Sequence, residues 1–389
     1  MIEVTRPPPT KKSRKDKPRE KFHAASSSTE IMMDQEIWKE FPEDLYEAMI
    51  ARLPIATFFR FRSVCQKWNS LLNSATLSQH FAVVLPAQTP WFYTITHENA
   101  NSGAMYDPSL KKWYHPCVPS LPVKTIILPV ASAGGLVCFL DVSHRNFCVC
   151  NPLTTSFKEL ALRSGRVWSR VAVGMVQNSP NGSSGYKIVW LGSNGEHEVY
   201  DSIQNSWTCP GVLPPSIKLP LSLNLRSHTV SIGSTIYFLC TSPDSILSYD
   251  VANNVWKRLI VPMPLDTRDR TLAESGGKLI LVGLLSKNAA TCVSVWELQR
   301  MTLLWKEVDR MPNVWCLDFY GKHVWMTCIS NQGLLMLSLR SKRMNRLVSY
   351  DVGKREWGKV PDCVLPRSGR KKQWIACGTA FHPCPTAMP

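Results

Sequence analysis

The chain has 389 residues, of which 44% are hydrophobic and 19% charged, which predicts one large folded domain with an appendage and excludes a wholly disordered protein. Its formal net charge of +16 suits acidic partners, but no nucleic-acid-binding signature is present, so nucleic acid is not an expected partner. With no secretory signal, no bilayer-length apolar run and 13 scattered cysteines, we expect free, mostly buried thiols and no membrane partner.

Residues 1–33 are rich in Pro, Lys, Arg and Ser and nearly free of aromatic residues, so we predict a disordered basic tail. Within it, residues 11–15 read Lys-Lys-Ser-Arg-Lys, a basic cluster of the kind that nuclear import receptors bind. A plain solvated tail is the alternative reading of this cluster. We therefore expect the protein in the nucleus, the cytoplasm or both.

Residues 34–82 carry apolar side chains at helical intervals. Leu45, Met49 and Leu53 recur every four residues and predict a short helix, which Pro54 ends. Two further sets of apolar residues predict two more helices. The first set is Phe58 with Phe61, and the second is Val64, Trp68, Leu71 and Leu72. Residues 74–81 predict one helix more. Helices this short cannot bury all their apolar surface among themselves, so some of it must face another domain or another protein.

The same segment resembles an F-box, whose pattern is Leu-Pro, an apolar helix, Leu-Pro again and then Arg-x-Val-Cys-x-x-Trp. The matching residues are Leu53, Pro54, Arg62, Val64, Cys65 and Trp68. Only the first leucine differs, where Phe41 keeps the position apolar.

This resemblance implies that the helical unit docks on the Skp-type adaptor of a Skp–cullin–F-box (SCF) ubiquitin ligase, and through the adaptor on a cullin. The adaptor-contact set that we infer, some of which is equally suited to the unit's own core, is Phe41, Pro42, Leu45, Ile50, Leu53, Pro54, Val64, Cys65 and Trp68. A helical cap packed only on its own domain is the alternative.

Residues 83–389 contain a repeat in which a polar residue, preceded by an aromatic one in five of the six units and by Cys150 in the other, is followed by a closing aromatic. The six units are Tyr106-Asp107 with Trp113, Cys150-Asn151 with Phe157, Tyr200-Asp201 with Trp207, Tyr249-Asp250 with Trp256, Trp296-Glu297 with Trp305, and Tyr350-Asp351 with Trp357. The closing aromatics lie 44 to 52 residues apart, close to the kelch period of about 50. Each unit predicts a four-stranded blade, because the polar residue begins a turn and the aromatics fill the space between blades.

Six such units predict a mainly β protein with a six-bladed, kelch-like β-propeller. The first unit lacks an inner strand, since the chain enters at residues 91–96, and the C-terminal segment 373–381 supplies a spare one. We predict that these two segments pair and close the ring, which leaves no open sheet edge.

Residues 37–389 as a whole are similar to plant F-box/kelch-repeat proteins, in particular those of the leaf-curling-responsiveness type. The resemblance implies a non-catalytic substrate receptor, in which the F-box holds the adaptor and the propeller holds the protein to be ubiquitinated. A non-degradative scaffold or transcriptional co-regulator is a second hypothesis. A propeller enzyme that handles carbohydrates or metabolites is a third.

Catalytic and client sites have weaker signals. The nine His residues fall in no recognised catalytic motif, and no phosphate loop or metal-ligand array is present, so we predict no enzyme, no cofactor and no metal. The loops that enter the inner strands carry several cations, and Arg170, Arg226 and Arg270 are our candidates for binding an acidic or phosphorylated client. Ordinary solvated loop charges are the alternative.

Overall fold

The structure is a computed structural model that describes residues 42–71, 74–84, 88–96, 99–115, 127–141, 146–163, 171–178, 185–192, 195–209, 213, 229–241, 244–342, 344–363 and 375–389. From Asp44 onward the chain forms one compact unit, and of the preceding residues only Pro42 and Glu43 are described. The predicted basic tail, with its cluster at residues 11–15, lies outside the described residues.

Four helices precede the sheets, as the apolar spacing predicts. They are α1 (Glu43–Ile50), α2 (Ile55–Arg62), α3 (Gln66–Ser70) and α4 (Ala75–Val84). Pro54 lies between α1 and α2 and takes the N-cap position of α2, where a missing N–H costs little. Ser74 caps α4 by accepting a hydrogen bond from the Leu77 amide at 3.3 Å. None of the described helices has the length and apolarity to cross a membrane.

The helical unit and the first blades share one hydrophobic core. Phe58 on α2 and Phe81 on α4 are fully buried, and their rings meet edge to face at 5.6 Å. The same cluster continues into Trp91 and Tyr93 of the first blade and Cys384 near the C-terminus. Part of the helical apolar surface is therefore covered by the propeller itself.

Six four-stranded antiparallel sheets form the propeller. Blade 1 contains β1 (Trp91–Thr96), β2 (Asn99–Asp107), β3 (Lys112–Tyr114) and, from the C-terminus, β24 (Ile375–Phe381). Blade 2 contains β4 (Ile127–Ala133), β5 (Leu136–Asp141), β6 (Asn146–Cys150) and β7 (Phe157–Glu159). Blade 3 contains β8 (Val171–Gln177), β9 (Tyr186–Gly192), β10 (His197–Asp201) and β11 (Ser206–Thr208).

The second half repeats the pattern. Blade 4 contains β12 (Val230–Ile232), β13 (Thr235–Thr241), β14 (Asp244–Asp250) and β15 (Val255–Leu259). Blade 5 contains β16 (Thr267–Ser275), β17 (Lys278–Lys287), β18 (Ala290–Gln299) and β19 (Leu304–Arg310). A short helix α5 (Asn313–Cys316) and a 3-10 turn (Leu317–Phe319) lead into blade 6, which contains β20 (Trp325–Asn331), β21 (Leu334–Arg340), β22 (Asn345–Asp351) and β23 (Glu356–Lys359).

The ring closes in the predicted way. Strand β24 pairs antiparallel with β1, with Trp91 opposite Phe381 and Ile95 opposite Cys377. The innermost strands β24, β4, β8, β12, β16 and β20 then contact one another in ring order around a central channel. The predicted closure is confirmed, and the two ends of the propeller are held in one sheet.

The repeat motif forms a turn that side-chain hydrogen bonds close. Asp250 ends β14, and its Oδ1 accepts the amides of Ala252 at 3.0 Å and Asn253 at 3.3 Å, as the motif predicts. Asn254 then takes a left-handed backbone with φ of 55°, and its side chain accepts the Tyr249 hydroxyl at 2.8 Å. The equivalent carboxylates or amides, which accept local backbone amides in other blades, are Asp107, Asn151, Asp201 and Asp351.

Closing tryptophans join four of the blades to the preceding one. Four of their indole N–H groups donate across the blade boundary, and the pairs are Trp113 to the Pro361 carbonyl, Trp207 to the Ala161 carbonyl, Trp256 to His197 Nε2 and Trp357 to Asp309 Oδ2. Blade 5 differs because its longer turn and Glu297 replace the regular Asp turn, and Glu297 binds Lys278 at 3.1 Å instead. Within the described residues, the Trp305 indole N–H is buried with no hydrogen-bond acceptor.

Candidate functional site

One side of the helical unit exposes apolar residues. Leu45 and Met49 lie one turn apart on α1 and are 52% and 51% exposed. Val64 is 67% exposed in the turn between α2 and α3, and Cys65 beside it is exposed too. Pro54 is also exposed, at the start of α2. These residues are available to a partner protein.

Three members of the predicted adaptor-contact set face inward instead. Ile50 is only 6% exposed and belongs to the core that α1 shares with blade 1, and half-buried Leu53 packs against the same core. The Trp68 ring lies 5.7 Å from Tyr46 and 4.8 Å from Phe61, so it joins the first three helices. These three side chains hold the unit together, as cores of closely packed helices require.

The other two members of that set lie at or beyond the edge of the described chain. Phe41 is outside the described residues, and Pro42 is exposed but precedes the compact unit. Met49 was missing from the set although its spacing from Leu45 gives it the same face of α1. That spacing was the signal that could have included it.

Polar contacts fix the helices that carry the exposed side. Glu47 on α1 accepts hydrogen bonds from Ser74, at 2.9 Å, and from Thr76, which ties α1 to the start of α4. Arg62 donates to Asn69 Oδ1 at 2.9 and 3.2 Å and stacks over Phe59 at 5.3 Å. The turn that presents Val64 is therefore clamped at both ends, which favours a preformed surface.

Of the predicted client-binding arginines, Arg270 is the one within the described residues. Arg170 and Arg226 lie outside the described residues. Arg270 pairs with Asp244 at 3.2 Å, so its charge is compensated within the propeller. Arg163, a further cation of the same loops, is buried in an ion pair with Glu198 at 2.9 Å and stacks on Trp190 at 3.5 Å. Burial lowers the pKa of the Arg163 guanidinium, and Glu198 opposes that shift.

The central channel holds a cavity of about 510 Å³. Hydroxyl and amide side chains dominate its polar lining, and they include Ser132, Gln177, Ser231, Asn331 and Thr379. Glu274 is the lone carboxylate among the described lining residues, and its Oε1 accepts the Gly277 amide at 3.0 Å. The described lining thus has no pair of carboxylates, which glycoside hydrolysis ordinarily uses.

Comparison with known families matches both parts of the chain. Residues 106–372 match the family described as "F-box protein At3g26010-like, beta-propeller", which covers more than half of the chain. Residues 38–79 match the F-box domain. The chain is an F-box protein of the β-propeller type. The resemblance stated from the motif residues is confirmed.

Curated relatives of this F-box protein extend over nearly all of its length. F-box only protein 6 of Arabidopsis thaliana is 60% identical over 388 residues, which cover 100% of this chain and 82% of that protein. Protein UNUSUAL FLORAL ORGANS of Arabidopsis thaliana is 28% identical over 375 residues, covering 88% and 83%. F-box/kelch-repeat protein At5g43190 of the same organism is 25% identical over 361 residues, covering 87% and 85%.

Proposed function

We propose that this F-box protein is the substrate-recognition subunit of an SCF-type ubiquitin ligase. In this proposal the F-box helices bind the Skp-type adaptor, which brings the cullin, and the propeller binds the client protein. The observation that supports it most strongly is the exposed apolar side of a helical unit whose other side is buried in the propeller. Exposed apolar surface of that kind marks a protein–protein contact.

The exposed residues offer enough energy for the centre of such a contact. Fully burying a Leu, Met or Val side chain contributes about 1.5 to 3 kcal/mol, so half-exposed Leu45 and Met49 would add about 1 kcal/mol each and Val64 somewhat more. A stable interface buries about 800 Å² on each partner. We therefore expect the adaptor to cover α1 and the α2–α3 turn together.

The shared core gives the proposed receptor its mechanism. Because Phe58 and Phe81 pack in one cluster with Trp91 of blade 1, the helices cannot swing freely relative to the propeller. A client on the propeller would then be held at a fixed position relative to the adaptor, which raises the effective concentration of its lysines near the conjugating enzyme. The chain itself would perform no chemistry.

Adaptor binding tests this proposal. We expect Met49→Lys and Val64→Lys to weaken calorimetric binding of a purified Skp-type adaptor by about tenfold or more, because each would bury a charge in an apolar contact. Met301→Lys is the matched control, since Met301 is 97% exposed on a turn of blade 5. Equal adaptor binding by all four proteins, each with unchanged melting, would refute the proposed contact.

Turnover separates the receptor from a scaffold that binds the adaptor without degradation. We expect a bound client to accumulate on proteasome inhibition in cells with the wild-type chain, and the effect to disappear in cells with Met49→Lys. A client whose level ignores proteasome inhibition would favour the scaffold.

A further inference from the structure

An exposed strip lies at the rim of the propeller where the inner strands of blades 5 and 6 begin. The F-box assignment gives this strip no role. We call it the rim strip and define it by Leu265, Arg268, His323 and Trp325. Leu265 is 85% exposed and Trp325 is 43% exposed, although both residue types are normally buried. Leu265 precedes the inner strand of blade 5, and Trp325 is the first residue of the inner strand of blade 6.

Side-chain contacts make the rim strip continuous. Arg268 donates to Ser286 Oγ at 2.6 Å, and its other terminal nitrogen lies 3.4 Å from His323 Nε2. The His323 ring lies 4.5 Å from the Trp325 ring, and the Arg340 guanidinium lies over the Trp325 ring at 5.9 Å. The Trp325 ring thus contacts both His323 and Arg340, which restricts its orientation.

An open cleft of about 420 Å³ lies at one end of the rim strip. Met263, Leu265 and Arg268 line it together with Ser286 and the Arg270–Asp244 ion pair. Half-buried Met263 packs against the core between blades 4 and 5, so the cleft has an apolar floor. An apolar floor with a polar edge suits a bulky apolar side chain of a partner.

Charge around the rim strip favours an anionic partner. Asp244 is paired with Arg270, Asp318 is paired with Arg346, and Asp269 accepts the Met326 amide at 2.8 Å. Asp266 adds one more carboxylate to the cleft. Against these, the exposed cations at this rim include Arg268, Lys287 and Lys322, and the Arg268 guanidinium contacts a hydroxyl and an imidazole. A guanidinium that is bonded to a hydroxyl can form a stronger, charge-assisted bond to an incoming carboxylate.

We propose that the rim strip binds an extended acidic peptide segment of the client, with a bulky apolar side chain in the cleft beside Leu265, a carboxylate at Arg268 and apolar contact on Trp325. The proposal rests on the receptor function proposed above and names its client site. Trp and Arg in one patch are typical of residues that dominate binding energy. A nucleic-acid backbone carries a charge at every nucleotide and would meet the carboxylates of Asp266 and Asp269 as well as Arg268, whereas a peptide can place its carboxylate at Arg268 alone, which favours peptide over nucleic acid.

Selection from a random peptide library tests the rim strip. The full-length protein would be used to select eight-residue peptides displayed on phage, and the selected peptides would be measured by fluorescence anisotropy. We expect the peptides to be rich in Asp and Glu around one bulky apolar residue. Arg268→Glu and Trp325→Ala should each weaken their binding by about tenfold or more, because each removes one anchoring contact.

Two matched variants and two further probes make the outcome decisive. Arg300→Glu makes the same charge change on an exposed turn of blade 5, and Met301→Ala removes an exposed apolar side chain there; both should leave peptide binding unchanged. Peptides that bind the wild type and the Arg268→Glu protein equally would overturn the proposal. So would salt-sensitive binding of random duplex DNA, lost in Arg268→Glu, without any enriched peptide. Adaptor binding is measured in parallel, so failure of the F-box contact is seen separately from failure of the rim strip.

Discussion

The two sides of the F-box helices have similar composition but opposite environments. On one side, Ile50, Phe58 and Phe81 are buried in a core that continues into blade 1. On the other, Leu45 and Met49 are about half exposed although they are as apolar as the buried set. Apolar residues that the protein's own packing already covers contribute to its stability, whereas those left uncovered are available for binding. The contrast therefore separates residues that hold this F-box protein together from residues that we expect to hold its partner.

Removal of the closing strand should have the largest effect on the buried side. Truncation after residue 372 removes β24, whose Cys377 and Phe381 belong to the core that also receives the helices. We expect loss of the cooperative melting transition followed by circular dichroism, because blade 1 would have an open edge and its core an open side. Deletion of residues 388–389 alone is the control, and an unchanged transition in the longer truncation would contradict ring closure.

A pair of point substitutions compares the two sides directly. Phe81→Ala should lower the free energy of unfolding in urea by about 3 to 5 kcal/mol, because it leaves a cavity beside Phe58. Met49→Ala should change the same quantity by less than about 0.5 kcal/mol, since the side chain is half in solvent. Comparable losses in both variants would mean that the exposed side also carries the fold.

Two closing tryptophans of the propeller differ in the same way on a smaller scale, since one indole N–H has a hydrogen-bond acceptor and the other has none within the described residues. Trp357 donates its indole N–H to Asp309 of the preceding blade at 3.2 Å, whereas the buried Trp305 N–H has no acceptor within the described residues. Trp357→Phe should therefore cost about 1 kcal/mol more than Trp305→Phe in urea unfolding, since both remove similar volume but only one removes a hydrogen bond. Equal losses of unfolding free energy in the two variants would show that the hydrogen bond from Trp357 to Asp309 adds no stability.

The smallest expected effect concerns two thiols near the rim. Cys292 and Cys316 both donate towards the Met311 carbonyl, at 3.6 and 3.5 Å. Cys316, which can turn its S–H towards a Cys292 thiolate, and the cation of Arg310 lower the pKa of the Cys292 thiol against the effect of burial. Because the thiolate is the reactive form, Cys292 should be alkylated at lower pH than an ordinary thiol. Cys316→Ala should move that reaction to higher pH; mass spectrometry that finds no movement would rule out the donated bond.

The sequence could predict the blades better than the surfaces. The Tyr-Asp-to-Trp spacing predicts six blades correctly because the Asp turn and the left-handed residue after it are local, as at Asp250 and Asn254. Strand closure was also predictable, because a sheet edge and a spare strand had to be matched. In α1, however, Leu45 and Ile50 are both apolar, and only packing against blade 1 decides which of them is buried.

The ion-pair partners of the rim arginines could not be predicted from the sequence either. Arg270 meets Asp244 from the neighbouring blade, 26 residues away, so its neutralisation has no local sequence signal. The rim strip shows the same limit, since Arg268 and Trp325 come together only when blades 5 and 6 are side by side. A surface that is formed by residues far apart in the sequence can be recognised only from the structure.

Alkylation of Cys65 tests the assignment of the exposed side most directly. Cys65 is exposed in the α2–α3 turn, and Cys209, exposed in blade 3, serves as an internal control in the same protein. Burial and Glu198 raise the pKa of Cys209, so both rates are taken at a pH where each thiol reacts measurably. With a saturating Skp-type adaptor, we expect the Cys65 rate to fall by about tenfold or more and the Cys209 rate to stay constant. Undiminished Cys65 alkylation while the adaptor is demonstrably bound would contradict an adaptor contact on this side.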